Sequence, residues 1–285
     1  MNPRLYDAHN HLQDPRLAAH REAIVATARR AGVVKMVVNG SAEKDWPEVL
    51  ESARRYGEVI PSFGCHPWCV KERSLDWRDT LERYLDMLPS AVGEVGLDRW
   101  IKDYDLAAQE EVLVGQLRLA ADRNLPVSIH CLHAWGRLLE ILQAEPRPSC
   151  GFLLHSYGGP REMVTPFAEL GAYFSLPGYF AHERKTCQRE TFRLVPAERL
   201  LIETDAPDQL LPAGREDFPL KDAASGKPVN SPANLGAVYR FAAGLFNEGL
   251  EDLARRVEQN FLRLFGPLAR GSASQDHSGP RQADG

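Results

Sequence analysis

Residues 6–12 read Tyr6-Asp7-Ala8-His9-Asn10-His11-Leu12. In an extended segment, side chains two apart project to the same side, so His9 and His11 present two imidazoles to one point. Arg4-Leu5-Tyr6 reads as the end of a short first strand and Asp14-Pro15 opens a turn, which puts the pair at the strand's C-terminal end. Two imidazoles are half of a metal site, and the remaining ligands have to come from later strands.

Working outward, short apolar runs alternate with longer stretches of helical period. Further strands are predicted at 33–38, 59–64, 91–96, 126–130, 151–155, 172–176 and 199–204. Helices are predicted over 17–31, 47–56, 75–88, 106–123, 135–144, 160–170 and 182–194, with two final ones at 233–247 and 250–265. Strands each followed by a helix predict an α/β fold, a closed parallel (β/α)8 TIM-type barrel forming a single domain over residues 1–268. Residues 211–233, rich in Pro, Gly, Asp and Lys, are expected to run over the barrel mouth. The Gly, Ser, Gln, Asp and Arg composition of 269–285 predicts a disordered tail.

Composition narrows the function classes. The 285 residues are enough for one large barrel, and 34 basic against 39 acidic residues give a net charge of −5. That balance argues against a broadly basic face for long nucleic acid, while leaving room for a local patch or a metal to hold phosphate. Cys65, Cys69, Cys131, Cys150 and Cys187 form neither a disulfide framework nor a paired zinc signature. With no leader and no apolar run long enough to span a bilayer, the expectation is a soluble, cytoplasmic protein without a membrane partner, monomeric or a small homo-oligomer.

The polar residues at predicted strand ends carry the chemistry. They are His9 and His11, His66 after the third strand, Glu94 at the fourth, His130 at the fifth, His155 at the sixth and Asp205 at the eighth. In a barrel all of these converge on one mouth, where active sites of this fold lie. Glu94, inside Val-Gly-Glu-Val-Gly, is a carboxylate in an apolar strand and needs a cation, a metal or a proton. Imidazole plus carboxylate is a borderline ligand set suited to Zn²⁺, Mn²⁺, Fe²⁺ or Ni²⁺. No G-x-S-x-G elbow supports a serine nucleophile.

The ordered motifs Asp7-Ala8-His9-Asn10-His11-Leu12, Gly64-Cys65-His66-Pro67, Gly93-Glu94-Val95-Gly96-Leu97-Asp98, Ile129-His130, Leu154-His155-Ser156, Ile202-Glu203-Thr204-Asp205-Ala206-Pro207 and Asn260-Phe261-Leu262-Arg263-Leu264-Phe265 resemble those of the TatD family of metal-dependent hydrolases, within the amidohydrolase-like barrels. The resemblance spans about residues 4–266. It implies two divalent ions, of zinc, manganese, magnesium, iron or nickel. His9, His11, Glu94 and Asp205 would hold one, and Glu94, His130 and His155 the other. It also implies a bridging water as nucleophile, Asp205 as proton acceptor, and Glu203 as a support for the ligands or a buried strand carboxylate paired with a base. The implied activity is that of a deoxyribonuclease, often a 3′-to-5′ exonuclease, acting on DNA.

Departures from the family pattern bear on the substrate. The arginine usually found two residues after the strand-five histidine is absent from His130-Cys131-Leu132-His133, and Gly226-Lys227-Pro228-Val229-Asn230 keeps Lys227 without its arginines. Asp208 replaces a common aromatic and adds negative charge. Candidate substrate-binding residues are therefore His66, Arg99, Trp100, Tyr157 and Lys227, with His133 as a stand-in donor and Tyr157 as a stacking or rim-packing ring. The alternatives are hydrolysis of a small ester, lactone or amide on the same barrel, and a non-catalytic barrel that binds a metal or a partner.

Overall fold

A computed structural model of the chain describes residues 3–269. Its eight-stranded sheet comprises β1 (Leu5–Asn10), β2 (Val33–Asn39), β3 (Val59–Phe63), β4 (Ala91–Asp98), β5 (Val127–Leu132), β6 (Phe152–Leu154), β7 (Ala172–Pro177) and β8 (Leu200–Glu203), in that spatial order. Each strand pairs in parallel with the next. The seam between β8 and β1 is bridged by Asp205 N–H to His9 C=O (2.9 Å) and His11 N–H to Ala206 C=O (2.7 Å). The buried Asp7 carboxylate reinforces it by accepting from Thr204 N–H (2.9 Å) and the Thr204 hydroxyl (2.6 Å). Every residue of β1, β3, β4, β7 and β8 is buried, as expected for strands packed on both faces.

The helices are α1 (Pro15–Ala18), α2 (Arg21–Arg30), α3 (Trp46–Arg55), α4 (Trp77–Met87), α5 (Leu106–Arg123), α6 (Trp135–Ala144), α7 (Val164–Glu169), α8 (Thr186–Phe192), α9 (Leu235–Phe246) and α10 (Leu250–Ala269). Capping fixes their ends where the sequence supplies it: Asp105 accepts from Ala108 N–H (3.0 Å) to start α5, and Asn124 at φ 47° ends it. Trp46 is fully buried, bonds Gly64 C=O at 3.0 Å and meets Phe63 and Tyr84 edge-on. Removing that ring would cost about 3–5 kcal/mol. Asn260 ties α10 to the start of β8 through Ala197 C=O (2.8 Å) and Leu200 C=O (2.9 Å), while Phe261 packs on Tyr6.

Four expectations change. The first helix is two, because the Asp14-capped turn of α1 ends at Ala19 and His20 takes a non-helical conformation (φ −118°, ψ 0°) before α2. The helices expected at 160–170 and 182–194 keep α geometry only in α7 and α8, each preceded by a 3₁₀ turn. Residues 211–233 carry a small antiparallel pair, β9 (Leu220–Lys221) with β10 (Pro228–Val229), and none of them lines the cavity at the mouth. Finally, Ala269 ends α10. The rest of the tail expected at 269–285 lies outside the described residues.

Candidate metal centre

β4 places Glu94 at the middle of the site because its glycines let neighbouring chain approach closely. A Cβ on Gly93 would meet Ser128 Cβ at 2.8 Å and Ser62 Oγ at 2.9 Å. One on Gly96, at φ 149°, would sit 1.9 Å from the His130 carbonyl oxygen. With both positions bare, β4 packs between β3 and β5 and the Glu94 carboxylate is buried among five imidazoles. Its two oxygens face different sets. Oε2 lies 3.1 Å from His11 Nε2 and 3.5 Å from His9 Nε2. Oε1 lies 2.8 Å from His155 Nε2, 3.2 Å from His130 Nδ1 and 3.4 Å from His66 Nε2. Asp205, at φ 50° just beyond β8, brings Oδ1 to 3.7 Å from both His9 Nε2 and His11 Nε2.

The outer nitrogens assign the tautomers. His11 Nδ1 faces Asn39 C=O (2.7 Å) and His130 Nε2 faces the Asp98 carboxylate (2.9 Å), so both carry hydrogen there and turn lone pairs inward. His9 Nδ1 bonds Ser128 Oγ at 2.8 Å. His66 is the opposite case: its Nδ1 accepts from Trp68 N–H (3.1 Å), which leaves Nε2–H to donate toward Glu94. His155 Nδ1 is buried without a hydrogen-bond partner among the described residues, 3.8 Å from Glu203 Oε1. Glu203 itself is fully buried and accepts from Ser156 and Ser175 hydroxyls.

A divalent cation suits this donor set. His9 Nε2 and His11 Nε2 face each other at 3.2 Å, and so do His130 Nδ1 and His155 Nε2. With the outer nitrogens of His11 and His130 already protonated, each close pair can turn lone pairs inward to a cation in place of a shared proton. Three clusters can hold an ion by geometry: His9–His11–Asp205, His9–Glu94–His155 and His66–Glu94–His130. The His66 tautomer argues against the role of a ligand in the last.

Without a cation, burial lowers every imidazole here. At His11 it is outweighed by the bond and charge of Glu94 and by Asp205, and the pKa rises to about 9. At His130 the bonds of Asp98 and Glu94 outweigh burial, and at His155 the charge of Glu94 and the nearby Glu203 carry it well above the usual value. His9 stays well below, through burial and the charge on His155, and His66 falls to about 4, chiefly through burial. Glu94 is held well below the usual carboxylate range although burial opposes this, because the imidazoles of His66, His155 and His9 surround it. Burial, helped by the charges of Glu203 and Glu94, pushes Asp205 up against His155 and His11.

The centre opens into a cavity of about 660 Å³ lined by His11, His66, Glu94, His130, His155 and Asp205 among others. Trp100 and His133 also line it; Arg99, Tyr157 and Lys227 do not. Arg99 is exposed beside Trp100, its Nε donating to the Tyr104 hydroxyl at 3.4 Å. Tyr157 corrects an expectation: its ring is buried against Trp135, Phe167 and Phe174 and its hydroxyl donates to Pro160 C=O, so it offers no face for stacking. Lys227 lies in the turn between β9 and β10, where its carbonyl accepts from Asp222 N–H.

Two further residues of the site, Asp98 and Arg16, emerge from the structure. Asp98 is a second buried carboxylate of β4, binding His130, the Trp68 indole (2.7 Å) and the backbone N–H groups of Trp100 (2.7 Å) and Ile101 (3.1 Å); the reasoning applied to Glu94 would have found it. Arg16 lines the cavity and is gripped on both sides, by Asp14 (2.9 and 3.0 Å) and in a fork by Asp208 (both 2.9 Å). No local signal joins Arg16 to Asp208, so distant in sequence.

Residues 6–266 match the family model described as "TatD related DNase". The chain belongs to the TatD family. Among curated relatives, the "3'-5' ssDNA/RNA exonuclease TatD" of Escherichia coli (strain K12) is 32% identical over 92% of this chain and 99% of that protein, and the same figures hold for the one from Pantoea ananatis. The crystal structure of YJJV, a TatD homolog from Escherichia coli K12, superposes with a TM-score of 0.84 at 28% identity, covering 93% of this chain and 99% of that one. A TatD family hydrolase from Entamoeba histolytica shares the fold at 18% identity with a TM-score of 0.82. Among the described residues, no helix is long and apolar enough to cross a membrane.

Proposed function

We propose that the protein is a divalent-metal-dependent hydrolase that cleaves phosphodiester bonds of single-stranded nucleic acid, acting as an exonuclease. The observation that carries this is the division of the Glu94 carboxylate, one oxygen toward His9 and His11 and the other toward His130 and His155. On this reading His9, His11 and Asp205 hold one ion, His130 and His155 hold a second, and Glu94 is shared. When bound, such cations supply Lewis acidity toward a phosphoryl oxygen and a lowered pKa for water.

The chain's own groups do the rest. Asn39 C=O, Ser128 and Asp98 fix the rings of His11, His9 and His130, so the lone pairs stay aimed without reorganisation. Asp205, which lines the cavity beside His9 and His11, is the proton acceptor. His66 directs an N–H inward and is suited to hold Glu94 or a substrate oxygen. All five cysteines are free, and we place the enzyme in a reducing compartment, the cytoplasm.

The purified, metal-loaded protein should shorten 5′-labelled single-stranded DNA from the 3′ end, and Glu94→Gln and Asp205→Asn should each abolish this. One observation favours a second reading, hydrolysis of a small ester or lactone: among the described residues, the one arginine lining the cavity, Arg16, is already held by two carboxylates. Turnover confined to an ester and lactone panel would overturn the nuclease reading in its favour.

A further inference from the structure

Outside the metal centre, the cavity mouth carries two tryptophans that the fold leaves uncovered. Trp68, after β3, is 51% exposed and Trp100, after β4, is 66% exposed, and both line the cavity. Most tryptophans are substantially buried, because the ring carries a large apolar surface. Here the two converge on one anchor. The Trp68 indole N–H donates to Asp98 Oδ2 (2.7 Å), the same oxygen that accepts from His130 (2.9 Å), and Trp100 N–H donates to Asp98 Oδ1 (2.7 Å). The Trp68 ring stands edge-on to His66 at 5.1 Å and to His130 at 6.3 Å.

We propose that Trp68 and Trp100 form a base-stacking subsite, fixed through Asp98 to His130, that holds unpaired nucleobases beside the reacting phosphate. The inference rests on the nuclease reading above. Fixing Trp68 by its indole N–H orients the ring without covering it, and tethering Trp100 by its backbone leaves that whole side chain for a ligand. Stacking on such rings is tolerant of base identity, because every base has a π-face. Arg99, exposed beside Trp100 and lying over the Tyr104 ring at 5.8 Å, adds a cation suited to the adjoining phosphates. A duplex, with its bases already stacked on each other, gains nothing from this subsite.

The test is equilibrium binding to the full-length, metal-loaded protein, read by anisotropy of a labelled hexathymidylate with phosphorothioate linkages, which resist hydrolysis and keep the backbone charge. A matched oligomer carries abasic sugars at its terminal two positions. The parent should prefer the base-bearing oligomer by about 5- to 150-fold per stacked base, the equivalent of about 1–3 kcal/mol. Trp100→Ala, whose side chain has no bond to Asp98, should remove the share of one stacked base from that ratio with an unchanged melting temperature. Trp68→Phe, which keeps a ring and loses the donor, should retain more of the ratio than Trp68→Ala. Equal affinity of the parent for both oligomers, or a ratio that survives in Trp100→Ala and Trp68→Ala, would overturn the subsite. Cleavage of unmodified DNA is measured in parallel. A base preference without cleavage refutes the nuclease reading and leaves the subsite standing; cleavage without a base preference does the reverse.

Discussion

Asp98→Asn separates the support of the proposed metal ligands from the ligands themselves. Four N–H groups converge on this carboxylate: His130 and the Trp68 indole on Oδ2 at 2.9 and 2.7 Å, and the backbone of Trp100 and Ile101 on Oδ1 at 2.7 and 3.1 Å. An asparagine has the same shape but a single acceptor, so its amide hydrogens must face two of these donors. If the amide turns toward His130, the ring loses the acceptor that keeps its proton on Nε2, and the proton can move to Nδ1, the atom aimed at Glu94. Loss of such an outer partner typically weakens metal binding 10- to 100-fold, or about 1.4–2.7 kcal/mol. Calorimetric titration of Mn²⁺ into EDTA-stripped protein reads this directly. One class of site should weaken by that factor while the His9–His11 site changes less than about threefold, and excess metal should restore much of the lost hydrolysis. Two isotherms indistinguishable from the parent would refute the reasoning that Asp98 aims His130.

The same carboxyl has a pH signature in the metal-free protein. Burial opposes it, but bonds from His130 and the Trp68 indole hold Asp98 at about 2 against an ordinary 3.8; its stabilising contribution is therefore complete above the ordinary value and lost as pH falls toward 2. Asp98→Asn should flatten that limb of an acid-unfolding curve followed by circular dichroism. Asp208→Asn releases one of the two carboxylates gripping Arg16; because an exposed pair is worth at most about 1 kcal/mol, KM for DNA should fall by up to about fivefold, measured at low salt. Gly96→Ala forces a Cβ to 1.9 Å from His130 C=O at φ 149°, and should cost several kcal/mol, seen as a large drop in melting temperature or insoluble protein. Metal removal should lower the melting temperature, and re-addition at about 100 times Kd should restore about 2.7 kcal/mol.

Much of the barrel was legible because strands buried on both faces read as short apolar runs, as in Ala172–Pro177 and Leu200–Glu203, and because α5 and α6 carry an unbroken helical period over the ranges expected. That His9, His11, His66, Glu94, His130, His155 and Asp205 would converge was legible for a topological reason: polar residues ending parallel strands have one place to meet. What stayed hidden was decided by contacts without local pattern. The break between α1 and α2 accompanies a turn that carries Arg16 to Asp208. Tyr157 reads as a stacking or a rim-packing ring, and Trp135, Phe167 and Phe174 supply the apolar pocket that decides for packing. Residues 211–233 look like a lid by composition, but Asn230 bonds Thr204 C=O (2.8 Å) and Pro207 C=O (2.9 Å), drawing the segment to the outer end of β8. His66 matches its neighbours as a strand-end histidine, and only the Trp68 N–H reveals its different tautomer.

Anomalous diffraction from crystals of the zinc- or manganese-loaded protein tests the divided carboxylate most directly. Two peaks should flank Glu94, one in contact with Oε2, His9, His11 and Asp205, the other with Oε1, His130 and His155, and His66 should bind neither. Absence of density at both positions in metal-saturated crystals, or an ion ligated by His66 in place of His155, would contradict it.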